Sequence, residues 1–156
     1  MSEIPNLDEY DKKILRILQE DASISNKDLA KQIDLAPSSC LLRVKNLEKM
    51  GLIKKRVAVL NEKKLGYEIT AFLKVELKVI NKDTIKEFLH DALQYPQILQ
   101  CYMITGGGLF LMKIIAKDLA EYRDFIVNKL TTISNVGNVE TSIVIGVEKD
   151  TDYIPI

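Results

Sequence analysis

The sequence has a single histidine, only two cysteines, no net charge and no apolar run long enough to span a bilayer. Each shortage excludes something. With one imidazole, and no visible carboxylate pair, metal-ligand cluster or nucleophile beside a base, no catalytic residue and no metal ligand is assigned. Cys40 and Cys101 lack metal-like spacing and stand inside apolar periodic segments, which reads as two reduced, buried thiols rather than a disulfide. No window approaches the roughly 18 consecutive apolar residues of a membrane span. The opening M-S-E-I-P-N is neither basic nor apolar enough for a signal peptide, so a cytoplasmic protein without membrane attachment is expected.

The balance of 22 basic and 22 acidic residues argues, on its face, against a nucleic-acid binder. The average conceals an asymmetry. Residues 1–64 carry 13 Lys and Arg against 10 Asp and Glu, and the remainder is acidic by the same margin. Within residues 38–64, eight basic side chains face only Glu48 and Glu62, a local +6 of the kind a groove-facing surface needs. A chain of 156 residues forms one ordinary domain or two small ones.

Along the chain, Tyr10, Ile14, Ile17 and Leu18 recur at helical spacing between Leu7 and Asp21, with charges opposite. Ser25 stands three residues before Asp28, close to a capping box, and starts a short helix burying Leu29, Ala30 and Ile33. Pro37 suits the first position of a third helix, whose apolar face is Cys40, Leu41, Val44 and Leu47; Gly51 reads as its left-handed cap. Ile53 to Leu60 alternates well enough for a strand, and N-E-K-K-L-G is a polar connector.

After Gly66 the period changes to two, through Ala71, Leu73, Val75, Leu77 and Val79. A helix over 81–94, strands over 98–105 and 109–116 around a glycine turn, a helix over 118–130 and a strand over 139–147 complete the order βαββαβ. That order matches the ferredoxin-like arrangement, in which both helices cover one face of a four-stranded sheet. The expected class is therefore α+β, with a winged-type helix-turn-helix over 1–52, a strand and linker over 53–68, and a βαββαβ domain over 69–156. The sheet's other face needs a cover, and a second subunit is the simplest one, making a symmetric dimer at least.

With Cys40, Val44 and Leu47 turned inward, helical geometry turns Ser38, Ser39, Leu42, Arg43, Asn46 and Lys49 outward. Arg bonds guanine bidentately and Asn adenine, serine hydroxyls reach base edges, and Leu42 suits a thymine methyl. Base readout is accordingly assigned to Ser38, Ser39, Leu42, Arg43 and Asn46. Phosphate contacts fall to Ser25, Asn26 and Lys27 at the start of the second helix, and to Lys45 and Lys49. A solvated charged face on a small bundle is the alternative; the helix order, turn length and local charge together favour double-stranded DNA.

These residues resemble the leucine-responsive and asparagine-synthesis regulator family, Lrp/AsnC. The likeness runs through L-D-x-x-D-x-x-I-L-x-x-L-Q-x-D, then I-S-N-x-x-L-A-K-x-I-x-L-A-P-S-S-C-L-x-R-V-x-x-L-E-x-x-G-x-I, and on through the βαββαβ segment. The resemblance implies a transcription regulator whose C-terminal domain dimerises through its sheet, assembles dimers further, to an octamer in some cases, and binds an amino acid or related metabolite between subunits. Two departures stand out. Members usually carry Ser where this chain has Ala36, and an alanine cap forfeits roughly 1 kcal/mol. Many members also place an acidic residue straight after the glycine of the middle loop, whereas T-G-G-G-L-F offers no carboxylate for a ligand's amino group.

Thr105, Gly106, Gly107, Gly108 and Leu109 form the expected effector loop, because three glycines exceed what a tight turn needs and admit close backbone approach. Glu140, Thr141 and Ser142 on the last strand are added to that pocket. Sirohaem decarboxylases look similar in fold, but their chemistry leans on histidines of the C-terminal domain, and here His90 lies on an amphipathic helix as an ordinary surface residue.

Overall fold

A computed structural model describes residues 5–106 and 109–156 and divides the chain into two units. The first comprises residues 1–59 and 149–156, the second 60–148.

In the first unit, α1 (Glu9–Glu20) begins at Asp8, whose carboxylate accepts the Asp11 amide. α2 (Asn26–Gln32) begins at Ser25, whose hydroxyl accepts the Asp28 amide. Asp34, at φ 55°, then turns the chain into α3 (Pro37–Lys49). That helix closes with Gly51 at φ 74°, where the Leu52 amide reaches the Leu47 carbonyl and the Gly51 amide that of Glu48. This is the pair of hydrogen bonds of a Schellman cap, and glycine supplies its left-handed residue without strain. Ile14, Leu15 and Leu18 meet Leu29, Ala30, Ile33, Cys40, Val44 and Leu47 in one core. Leu41, expected on that inner face, is 43% exposed, because at one position past Cys40 it sits on the flank of the buried stripe.

Residues 149–156, the end of the expected domain over 69–156, pack with this first unit. The Gln19 amide group exchanges two hydrogen bonds with the backbone of Ile154, and Arg16 Nε donates to the Ile156 carbonyl at 2.7 Å.

The expected strand over Ile53–Leu60 does not form. Residues 54–60 are exposed and carry no regular structure, since the described chain offers them no neighbouring strand. A single helical turn, Lys63–Leu65, replaces the polar connector.

The second unit follows βαββαβ: β1 (Ile69–Leu77), α4 (Lys82–Ala92), β2 (Ile98–Met103), β3 (Phe110–Ala116), α5 (Leu119–Asp124), continued by a wider turn over Phe125–Lys129, and β4 (Val136–Ile143). The strands pair antiparallel in the order β2-β3-β1-β4. Alternate residues Ala71, Leu73, Val75 and Leu77 point to the helices, joined by Phe88, Phe110, Met112, Ile114, Phe125 and Leu130. β4 starts and stops earlier than the sequence pattern implies. Asn135, at φ 66°, clasps Val79 through both polar side-chain atoms and aligns Val136 with Leu77; beyond the bond from the Val144 amide to Thr70, β4 has no further partner among the described residues.

Candidate nucleic-acid interface and effector region

α3 presents Ser38, Ser39, Leu42, Lys45, Asn46 and Lys49 to solvent, all exposed, with Leu42 at 61%. The reason is the period. Cys40, Val44 and Leu47 take the buried stripe and leave these positions no other direction. Ser25 and Lys27 at the head of α2 are also exposed. Asn26 is half-buried, and its side-chain amide donates to the Pro37 carbonyl at 2.8 Å, tying the start of α2 to the start of α3.

Arg43 is placed differently from its outward neighbours. Its Nη1 lies 2.8 Å from Asp8 Oδ2 and 2.7 Å from Asp11 Oδ1, and the guanidinium carbon sits 5.3 Å from the Tyr10 ring centroid. A shallow groove lined by Asn6, Asp11, Ser39, Leu42, Arg43 and Asn46 runs beside it. The Asp11 amide first, and then the Arg43 guanidinium, hold the Asp8 carboxyl below its ordinary value of 3.8. Asp8 thus stabilises the folded unit in full above that value, and its contribution disappears as acidification passes through the lower folded-state pKa. The charge of Arg43, counted in the basic stretch over 38–64, is compensated on the spot by two carboxylates. Sequence periodicity missed this because it treats each helix separately; the signal available was the pair Asp8 and Asp11, three apart on one face of α1.

Ala36 caps α3 with its backbone in the extended region, φ −64° and ψ 140°, and makes no side-chain cap bond. That conformation already suits a capping serine. Ala36→Ser is expected to stabilise the unit by about 0.5–2 kcal/mol, measured as a higher denaturant midpoint at an unchanged slope; no rise would mean that the first turn is already satisfied.

In the second unit the loop from β2 to β3 leaves the sheet after Met103, with the Ile104 amide on the Leu109 carbonyl and the Leu109 amide on that of Val75. Thr105 and Gly106 are exposed, and Gly106 has φ 92°, which favours glycine. Gly107 and Gly108 lie outside the described residues. On β4, Glu140 stands opposite Lys74, Thr141 opposite Leu73 and Ser142 opposite Phe72. Alternation therefore sends Glu140 and Ser142 to the open face and Thr141 to the helix side. β1 lies between this strand and β3, from which the loop departs, so the described ones among the expected effector residues are not gathered into a single pocket.

The open face carries Phe72, Lys74, Tyr102, Leu111, Lys113, Glu140 and Ser142. Lys113 reaches Glu62 at 3.6 Å. Cys40 and Cys101 are free thiols whose pKa values burial pushes up; Cys101 is only half-buried, on a strand flank where a fully buried residue was expected. His90 is exposed in the last turn of α4. Among the described residues no three potential ligands are grouped to hold a metal, and no helix is long and apolar enough to cross a membrane.

A helix-turn-helix with an exposed polar third helix, followed by a ferredoxin-like domain, defines a two-unit DNA-binding regulator. Residues 7–54 match the family model of a winged helix-turn-helix DNA-binding domain, and residues 70–154 that of the Lrp/AsnC ligand binding domain. The chain belongs to the Lrp/AsnC family of transcription regulators. It is 49% identical over 150 residues to the transcriptional regulator AzlB of Bacillus subtilis (strain 168), covering 96% of each chain. It is 37% identical, with the same coverage, to the leucine-responsive regulatory protein of Rhizobium meliloti (strain 1021). Among solved structures, a transcriptional regulator from Neisseria meningitidis in complex with L-Met superposes with a TM-score of 0.92 at 29% identity, covering 96% of this chain and 97% of that one. AsnC of Escherichia coli gives 0.88 at 25%, covering 97% and 100%.

Proposed function

We propose that this regulator binds operator DNA directly through α3, as a dimer or larger assembly whose DNA affinity or arrangement responds to an amino acid or related metabolite. The observation that carries the reading is the exposed face of Ser38, Ser39, Leu42 and Asn46, flanked by Lys45 and Lys49 and held on a core that leaves it no other direction. Serine and asparagine supply base-edge donors and acceptors, and Leu42 an apolar contact. Ser25, Lys27 and the free amides of α2 suit phosphates, as do the two lysines. Arg43, on the same face by helical position, is paired with Asp8 and Asp11.

A second copy of the chain accounts for two features at once. It would cover Phe72, Tyr102 and Leu111 on the open sheet face, and it would offer backbone partners to residues 54–60, including the exposed Val57 and Val59. The two recognition helices of such a dimer would meet half-sites about one helical turn, ~34 Å, apart. Association of dimers, up to an octamer, extends the same logic. The effector site is assigned to Thr105–Leu109 with Glu140, Thr141 and Ser142, completed between subunits because a single sheet separates its parts. The L-Met held by the Neisseria regulator supports an amino acid as the ligand class. The chain acts in the cytoplasm, without catalysis and without a cofactor.

The test is selection of genomic fragments by the purified protein, repeated at fixed salt with a panel of amino acids. Enriched fragments sharing a two-fold symmetric motif, with enrichment altered by at least one amino acid, are expected. No enrichment under any condition overturns the reading.

A further inference from the structure

α1 and α3 are joined by more than their apolar stripes. Asp8 and Asp11 stand on one face of α1, and Arg43 stands on α3 beside the buried Val44. Asp8 uses both oxygens, Oδ1 to cap α1 through the Asp11 amide and Oδ2 to hold Arg43 Nη1. Asp11 Oδ1 holds the same nitrogen, and Tyr10 lies against the guanidinium. Asp11 is 19% exposed and Arg43 32%, in contrast to the open side chains of Leu42 and Asn46 around it.

We infer that Arg43 is a positioning residue: it fixes the rotation and tilt of the recognition helix on α1 through Asp8, Asp11 and Tyr10, and leaves base reading to its exposed neighbours. The inference rests on the DNA-binding reading above. A helix held only by Cys40, Val44 and Leu47 can roll by small angles on an apolar surface without losing burial, and a roll displaces Ser39, Leu42 and Asn46 together. A guanidinium pinned by two carboxylates from one turn of α1 resists that roll directionally. The cluster of one cation and two anions also carries a formal charge of −1, which phosphate backbones repel, so it is ill-suited to contact DNA itself.

The experiment uses the full chain and an operator fragment selected by the wild-type protein. Arg43→Ala, Arg43→Lys and Asp11→Asn are compared at a temperature where circular dichroism shows each folded. The readouts are affinity for the operator, affinity for every single-base variant of it, and the salt slope. Arg43→Ala and Asp11→Asn are each expected to weaken binding about tenfold, by one common factor across all base variants and with the slope unchanged, while Arg43→Lys recovers part of the loss.

Asp11→Asn decides the matter. It removes a negative charge from a DNA-binding unit, which by charge alone strengthens binding, so weaker binding reports the lost clamp. If Asp11→Asn binds as well as or better than wild type while Arg43→Ala loses discrimination at one base pair, Arg43 reads a base and the inference falls. A slope reduced by about one in Arg43→Ala assigns it to a phosphate, with the same consequence. Should Arg43→Ala melt below the assay temperature, Arg43→Lys and Asp11→Asn carry the comparison. Failure of the wild-type chain to select any fragment is seen before a variant is made; it defeats the DNA-binding reading and this inference with it.

Discussion

Phe72→Glu is expected to give a folded monomer whose operator affinity is lower by about 10²–10⁴-fold. Phe72 sits at the centre of the open sheet face, between Lys113 on β3 and Ser142 on β4, and is 39% exposed in the single chain. Its side chain contributes little to the core of its own unit, so exchanging it for a charged residue leaves the fold within about 0.5 kcal/mol. In the dimer proposed above, with the open faces packed together about a two-fold axis, a central residue would lie near its own copy, and two buried glutamates there would oppose association through desolvation and like charge. Once the two recognition helices are untethered, each half-site is bound at the bulk concentration rather than the far higher effective concentration within a dimer. Sedimentation and operator titration read the two effects together. A Phe72→Glu protein that stays dimeric with full affinity would move the interface off this face.

Much of the first unit is legible in the sequence because its helices announce themselves by both period and cap. Ser25, Pro37 and Gly51 each stand where the structure starts or ends a helix, and Ile14, Leu18, Leu29, Cys40, Val44 and Leu47 are buried as their spacing requires. The residues that escaped depend on partners that periodicity does not contain. The alternation over Ile53–Leu60 is a strand-like pattern, but pattern alone does not say whether a neighbouring strand exists within the chain. The tail over 149–156 has no period at all; two hydrogen bonds exchanged between Gln19 and the Ile154 backbone and one donated by Arg16 place it, and such contacts leave no trace in spacing.

The β4 boundary shifted for a related reason, since Asn135 and its bonds to Val79 fix where pairing begins. The outward face of α3 was readable as a set of positions, yet the role of Arg43 within it turned on the carboxylates of another helix. The effector residues were the least legible. Thr105 and Gly106 are on an exposed loop, while Glu140 and Ser142 face away from Thr141, and spacing along one chain does not show whether such residues share a site.

Phe110→Ala is expected to destabilise the second unit by about 3–5 kcal/mol. Phe110 is fully buried at the start of β3, its ring 4.8 Å from that of Phe88 on α4, and it stands on the rungs of both Val75 and Met103. Truncation removes the contact between the sheet and α4 at the end where the glycine loop departs, and leaves a cavity that neighbouring backbone pairing prevents from collapsing. Against a total of about 5–15 kcal/mol for a domain, the remaining stability is marginal.

The first unit has its own core, built from Ile14, Leu29, Cys40, Leu47 and their neighbours, and that core shares no residue with the one around Phe110. Hydrogen exchange read by mass spectrometry separates the two: amides of β1 and β3 should exchange at least about 10²-fold faster in the variant, while those of α1 and α3 keep their wild-type protection. Equal loss in both sets would mean that the two cores unfold as one cooperative body. Unchanged protection in β1 and β3 would mean that the site relaxes around the missing ring, and that the Phe88–Phe110 pair is not the centre of the sheet's attachment to α4.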